Sequence, residues 1–293
     1  MSNAKVISKF WTEFRSQLFF LLFVLGLFII ALQMKPATEK SVLATGAEVS
    51  AAITARLEST GRTQEVIPDF AGITNVQIKK QTFFDFLQSY IDAENTEILQ
   101  HRTRLKNIHQ KIISQAELGQ HETAFLANIS DEYKVTVVDE LESVGQIQRL
   151  LRRVDVIPSS LVLSQSANET GWGTSRFAQH GKNFFGQWCF AEGCGMVPAQ
   201  RSEDASYEVK RFRSVAESVH AYFMNLNTFP SYRPLRSIRQ RLRQSDQEID
   251  GISLAEGLHS YSIRGEEYVD ELQSMIYYNG LLKRDVVLGR SSL

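Results

Sequence analysis

"SQSANETGWGTSRFAQHGKNFFGQW", Ser164–Trp188, is the stretch on which the reading of this chain turns. Just upstream, "VIPSSLVL" sets Pro158 and two serines ahead of an apolar run, the chemistry of a helix start. Gln165 and Glu169 stand four apart and share one helix face, while Leu161, Val162 and Ala167 can face a core. Glu169 falls in the last turn, where the helix dipole is negative and a carboxylate adds no stability. Gly171 and Gly173 permit a sharp exit and a close backbone approach to a ligand. Trp172 between them can wall the acid off from water, and desolvation raises a carboxyl pKa, as a general acid requires. Taken alone, these residues also fit a solvated acid at a helix end, with Trp172 and Trp188 as core residues rather than sugar platforms.

Outward from this stretch the chain reads as mostly helical. From Lys79 to Ala116 there is no proline or glycine, and Phe83, Phe84, Leu87, Tyr90, Ile91 and Ile98 recur at helical spacing. One long amphipathic helix is expected there. Helical patterns continue through "ETAFLANISDEY" and "VTVVDELESVGQIQRLLRRVD", and resume at "VAESVHAYFMNLNT" and "YVDELQSMIYYNGLL". "MVPAQRSEDASYEVKRFRS" carries two extended stretches around a polar centre, a hairpin pattern. The expected fold class is α+β, predominantly helical, with one small β-hairpin, a long preceding helix and a transmembrane anchor.

The N-terminus supplies that anchor. Nineteen uncharged residues, 16–34, follow Lys5, Lys9 and Arg15, and a bilayer core needs roughly 20. A cleaved signal peptide has a shorter apolar centre ending in small residues, and "ALQMKP" is a poor cleavage site. The expectation is a single-pass inner-membrane chain whose catalytic domain faces the periplasm, with secretion after signal cleavage as the alternative. The expected organisation is 1–15 cytoplasmic, 16–34 anchor, 35–78 linker, 79–140 a helical region packed on the catalytic domain, and 141–293 that domain.

Composition narrows the chemistry. Of 293 residues 43% are hydrophobic and 22% charged, as in ordinary folded proteins, and the net charge of −1 gives no footprint for nucleic acid. Cys189 and Cys194, in "CFAEGC", read as a local disulfide in an exported chain: two sulfurs with no nearby histidine are too few ligands for zinc. No metal or cofactor is expected. The six histidines are scattered without His-Glu-x-x-His, and neither a Gly-x-Ser-x-Gly elbow nor a phosphate-binding glycine loop occurs. "RPLRSIRQRLRQ", Arg233–Gln244, is a basic patch that reads either as a solvated helix face or as a contact for carboxylates of a ligand.

"ANETGWGTSRFAQHGKNFFGQW" resembles the glucosaminidase group, whose members carry a small-residue helix ending in Glu-Ser/Thr-Gly-Trp-Gly-x-Ser and then an Asn-Leu/Phe-Phe-Gly turn. "WCFAEGCG" resembles the bacterial Bax family in particular. Where relatives have Tyr-Ala-Thr-Asp-x-x-Tyr, this chain has "YSIRGEEYVDEL", with Tyr261 and Tyr268 seven apart.

The resemblance implies a lysozyme-like domain and an endo-β-N-acetylglucosaminidase-type glycoside hydrolase acting on β-1,4 bonds of peptidoglycan glycan strands. It makes Glu169 the acid, Tyr261 a residue of the reaction centre, and Glu203 the candidate second carboxylate, with a solvated loop acid the equal alternative. Gln165, Trp172, Asn183, Gln187, Trp188 and Tyr268 become candidate substrate contacts; for Asn183 and Gln187 a turn-stabilising role fits equally. Rival functions are a lytic transglycosylase and a non-catalytic wall-binding or scaffold protein.

Overall fold

The computed structural model describes residues 65–136, 143–199, 201 and 206–285. The expected anchor, the linker up to residue 64 and Glu203 lie outside these residues. Among the described residues, no helix is long and apolar enough to cross a membrane.

Helix α1, Val76–Ile113, is opened by Asn75, whose side chain accepts from the amides of Gln77 and Ile78. Its buried face, Phe83, Phe84, Leu87, Ile91, Ile98, Leu105 and Ile108, follows the helical period. The helix starts three residues before the expected point and stops before Gln115, which takes a left-handed φ of 56°. Helices α2 (Gln120–Glu132) and α3 (Ser143–Arg153) follow.

The central element is α4, Ser159–Thr170, which is buried along nearly its whole length and packs against α1, α8 (Gly251–Ala255), α9 (Glu266–Tyr278) and the 3-10 turn Leu281–Arg284. Pro158 supplies no cap. Instead Asp285, from the far end of the chain, accepts from the Ser160 amide at 2.7 Å and the Ser160 hydroxyl at 2.6 Å. Gly171, left-handed at φ 54°, ends the helix.

Helix α5, Arg176–Gly181, leads into a three-stranded sheet ordered β1-β3-β2, with β1 at Trp188–Cys189, β2 at Gly195–Met196 and β3 at Glu208–Lys210. The expected hairpin is the antiparallel β2–β3 pair, with Met196 opposite Val209. Strand β1 adds to the other edge of β3, Trp188 opposite Val209. Two-residue strands are too short to display alternation, so β1 left no signal in the sequence. A Cys189–Cys194 disulfide closes the loop between β1 and β2. Helices α6 (Val215–Thr228) and α7 (Arg233–Gln244), joined by the 3-10 turn Pro230–Tyr232, complete the domain.

Two expectations are corrected. The linker does not extend to residue 78: Phe70 is fully buried, edge-on to Phe83 and Phe86 at 5.4 and 5.9 Å, and Glu65 accepts from the Val215 amide and pairs with Lys182 at 3.0 Å. Phe70 also fixes the turn after α4, since a Cβ on Gly173 would stand 2.4 Å from its ring. Nor is the arginine-rich segment a simple solvated face. Arg236 and Arg239 of α7 are buried, and their guanidiniums donate to carbonyls at the ends of α6 and α3.

Candidate active site

Glu169 sits at the C-terminal turn of α4 with its side chain open to solvent, yet the surrounding protein crowds it. Burial pushes its carboxyl above the ordinary glutamate range, outweighing the Tyr268 hydroxyl and the Arg264 charge, which pull it down. The acid is thus reachable by water yet flanked by protein, with Tyr268 at one oxygen and Gly186 at the other.

The walls are identifiable. The Tyr268 hydroxyl, from α9, donates to Glu169 Oε1 at 3.0 Å. Gln165 Nε2 donates to that hydroxyl at 3.0 Å, and the Tyr222 hydroxyl donates to Gln165 Oε1. The chain Tyr222–Gln165–Tyr268–Glu169 thus runs in one donor direction from the core to one oxygen of the acid. Opposite lies Gly186 of the Phe-Phe-Gly turn, at φ 62°, where a Cβ would stand 3.2 Å from Glu169 Oε2. Oε2 has no hydrogen-bond partner among the described residues. Gly186 therefore keeps this oxygen approachable as well as meeting the backbone requirement of the turn.

The other residues singled out in the sequence separate into groups. Gln165 is fully buried and Tyr268 is 1% exposed, so neither offers a face to a ligand; both position Glu169. Asn183, also 1% exposed, organises the turn: its amide donates to the Gln187 and Lys210 carbonyls, and its Oδ1 accepts from the Phe185 and Gln187 amides. Gln187 ties this turn to α6 through the Ser218 carbonyl at 3.0 Å. The Tyr261 hydroxyl donates to the Phe185 carbonyl at 3.0 Å, and its ring stacks on Tyr268 at 5.5 Å, so it braces Tyr268.

Trp172 packs edge-on against Phe83 and Phe84 of α1 at 6.0 and 5.4 Å, with Lys80 over its ring. It joins α1 to the end of α4, and the residues flanking the Glu169 carboxylate are Gly186 and Tyr268 instead. Trp188, 51% exposed with its ring edge-on to Tyr207, remains open to a ligand.

Sequence reasoning missed Gly186, Tyr222, Arg264 and Glu271. Glu271 pairs with Arg264 at 2.6 Å, accepts from Asn168 at 3.2 Å, and adds a repulsive charge that helps raise Glu169. Its position three residues after Tyr268, on the same face of α9, was the available signal. Cys189, Cys194 and Glu208 have potential ligand atoms within 4.8 Å of one another, but the sulfurs are joined to each other and Glu208 accepts from the Gly193 and Gly195 amides. That cluster clips a loop.

A family model for glucosaminidase, described as mannosyl-glycoprotein endo-beta-N-acetylglucosaminidase, matches residues 144–281. Protein bax of Escherichia coli (strain K12) is 34% identical over 216 residues, 73% of this chain and 74% of that one. The chain belongs to the Bax family. Its glucosaminidase-type domain holds every member of the Glu169 network, whereas the Bax-family chain supplies α1 from outside the matched region. No solved structure matches the chain.

Replacing Tyr268 by Phe is expected to raise the Glu169 carboxyl further, because it removes a hydrogen bond that favours the charged form. It also strands the buried Gln165 amide, a loss of about 1–3 kcal/mol. Side-chain carbon NMR titration of Glu169 and denaturant unfolding read the two effects separately.

Proposed function

We propose that this chain is a glycoside hydrolase cleaving β-1,4 bonds after N-acetylglucosamine in peptidoglycan, with Glu169 as general acid. The observation that carries the reading is the asymmetry of the Glu169 carboxyl: Oε1 is held by Tyr268, while Oε2 faces Gly186 without a partner. A raised, oriented acid with one open oxygen suits protonation of a glycosidic oxygen near neutral pH. The family membership supports the substrate class.

Glycosidases commonly use two carboxylates, and Glu271 is already engaged with Arg264 and Asn168. Glu203, outside the described residues, would serve as the second carboxylate of a two-acid mechanism; among the described residues no second free carboxylate adjoins Glu169, which fits a substrate-assisted displacement. The 2-acetamido oxygen attacks the anomeric carbon, Glu169 gives its proton to the leaving oxygen, and water then opens the oxazolinium and returns a proton to Glu169. Exposed Trp188 would offer a ring to the sugar chain. The uncharged segment 16–34 would hold the domain at the periplasmic side of the inner membrane, or direct its export if cleaved.

Mass spectrometry of purified peptidoglycan after digestion tests this. Reducing N-acetylglucosamine ends are expected; anhydro-muramyl ends would instead mark a lytic transglycosylase, and unaltered glycan a non-catalytic wall protein.

A further inference from the structure

Two contacts join the last turn of α4 to α9. Tyr268 donates to Glu169 at 3.0 Å, and Asn168, the neighbour of Glu169 in the chain, donates to Glu271 Oε2 at 3.2 Å. Tyr268 and Glu271 stand three apart and share one face of α9. Glu271 is therefore held one helical turn from the hydroxyl that holds the acid.

The same oxygen of Glu271 accepts from Arg264 Nη2 at 2.6 Å. Arg264 is placed by a tight turn: its amide donates to the Ser262 hydroxyl, and the Gly265 amide donates to the Ser262 carbonyl at 3.1 Å. Its guanidinium lies over the Tyr268 ring, 5.5 Å from the centroid. A cation thus sits on the ring whose hydroxyl touches Glu169, and a carboxylate holds that cation.

The other titratable groups around Glu169 are neutral. Tyr222 of α6, Tyr232 of the 3-10 turn, and Tyr261 and Tyr268 all have hydroxyls that burial pushes above the ordinary tyrosine range. Phe185 and Gly186, from the turn opposite, carry no titratable group. Among the described residues, the charges acting on Glu169 are Arg264, which favours its ionised form, and Glu271, which opposes it. As a pair they nearly cancel; either one alone would not.

We infer that Glu271 is a positioning residue of the reaction: it holds the Arg264 guanidinium in place and offsets its charge, so that Glu169 keeps its proton at neutral pH. The inference deepens the proposed hydrolase reading and rests on it. The pair is partly exposed, with 45% and 40% of the two side chains open to solvent, and such pairs contribute little to stability. Its consequence lies in the field at the acid.

Side-chain carbon NMR titration of the full chain reads the Glu169 midpoint without substrate, the signal being assigned by its loss in Glu169→Gln. Glu271→Gln can still accept from Arg264 and Asn168 but carries no charge, and is expected to lower the midpoint by roughly half a unit to one unit. Arg264→Gln is expected to raise it by a similar amount, and the double variant to return it to within about a quarter unit of the parent. Any charge outside the described residues is common to all four proteins, so the differences report the pair. On peptidoglycan at pH 8, Glu271→Gln is expected to lose about three- to tenfold in kcat, a loss that shrinks toward pH 5. Melting should move by no more than about 4 °C.

Midpoints unmoved in both single variants would make the pair an inert surface bridge. Shifts of the same sign, or a double variant that stays displaced, would trace the effect to packing. Each overturns the inference, and Arg264→Gln alone suffices if Glu271→Gln fails to fold, since its midpoint must rise. Should the parent cleave no glycan, the hydrolase reading falls by itself, and the midpoints still decide whether the pair sets the acid.

Discussion

Glu169→Gln is expected to lower hydrolysis of peptidoglycan by about a thousandfold or more, within the range that removal of a positioned acid produces. The amide is nearly the same shape and can still accept from Tyr268, so the loss is of the titratable proton on Oε2 rather than of the fold. The sign of the stability effect separates these. A carboxyl raised in the folded state is penalised when ionised, so the parent loses stability as pH rises from the ordinary glutamate value through the folded one. The amide escapes that penalty. At pH 3 the two proteins should differ little through this group; at pH 8 the variant should melt no lower than the parent and preferably higher. Zymography on cell-wall substrate reads the activity, and thermal unfolding at the two pH values reads the linkage. A fully active variant would end the assignment of the acid. An inactive variant that also melts far below the parent would make Glu169 a structural residue.

The site was legible in the sequence where the chemistry is local and illegible where it is assembled from afar. The spacing of Gln165 and Glu169 on one helix face, and the glycine exit that follows, are consequences of one helical turn, and both are found in α4. The reason Gln165 shares that face could not be read, because its partners Tyr222 and Tyr268 lie 57 and 103 residues away. Trp172 was assigned a wall from adjacency in sequence. Three successive positive φ values, at Gly171, Trp172 and Gly173, turn the backbone so that its ring meets Phe83 and Phe84 instead. The long helix was readable because 38 residues without proline or glycine repeat one period many times. Phe70, with Pro68 and Gly72 on either side, carried turn signals and was read as linker, although its ring is fully buried against that helix. Turn chemistry reports the local backbone, and burial of a lone aromatic depends on what lies opposite.

Asp155→Asn is expected to cost the fold about 3–5 kcal/mol, the penalty for leaving buried charge without its partner. Asp155 is almost fully buried between Arg102 at 3.3 Å and Arg243 at 2.7 Å, with the Arg239 guanidinium, itself 1% exposed, at 3.8 Å. An asparagine keeps the shape and can still accept from the Val156 amide, but its NH₂ replaces an acceptor oxygen and removes the only acidic side chain lining the cavity between α3 and α7 among the described residues. Arg239 would keep its carbonyl partners on Asp155, Val156 and Arg152, yet carbonyl dipoles do not cancel a full charge. In a domain of this size each kcal/mol moves the melting temperature by about 2–4 °C, so a fall of roughly 10 °C is expected. Burial alone would raise the Asp155 carboxyl, but Arg102, Arg239 and Arg243 outweigh it and hold the group below the usual aspartate range. The stability this lowering confers is therefore complete above about pH 4 and is lost as pH falls through the folded value. Urea unfolding at pH 7 and at pH 3 should show a gap between parent and variant that is wide at the first and narrower at the second. A gap below about 1 kcal/mol at pH 7 would mean that solvent or another group already neutralises the three arginines, and that the joint between α1, α3 and α7 is held by its apolar contacts alone.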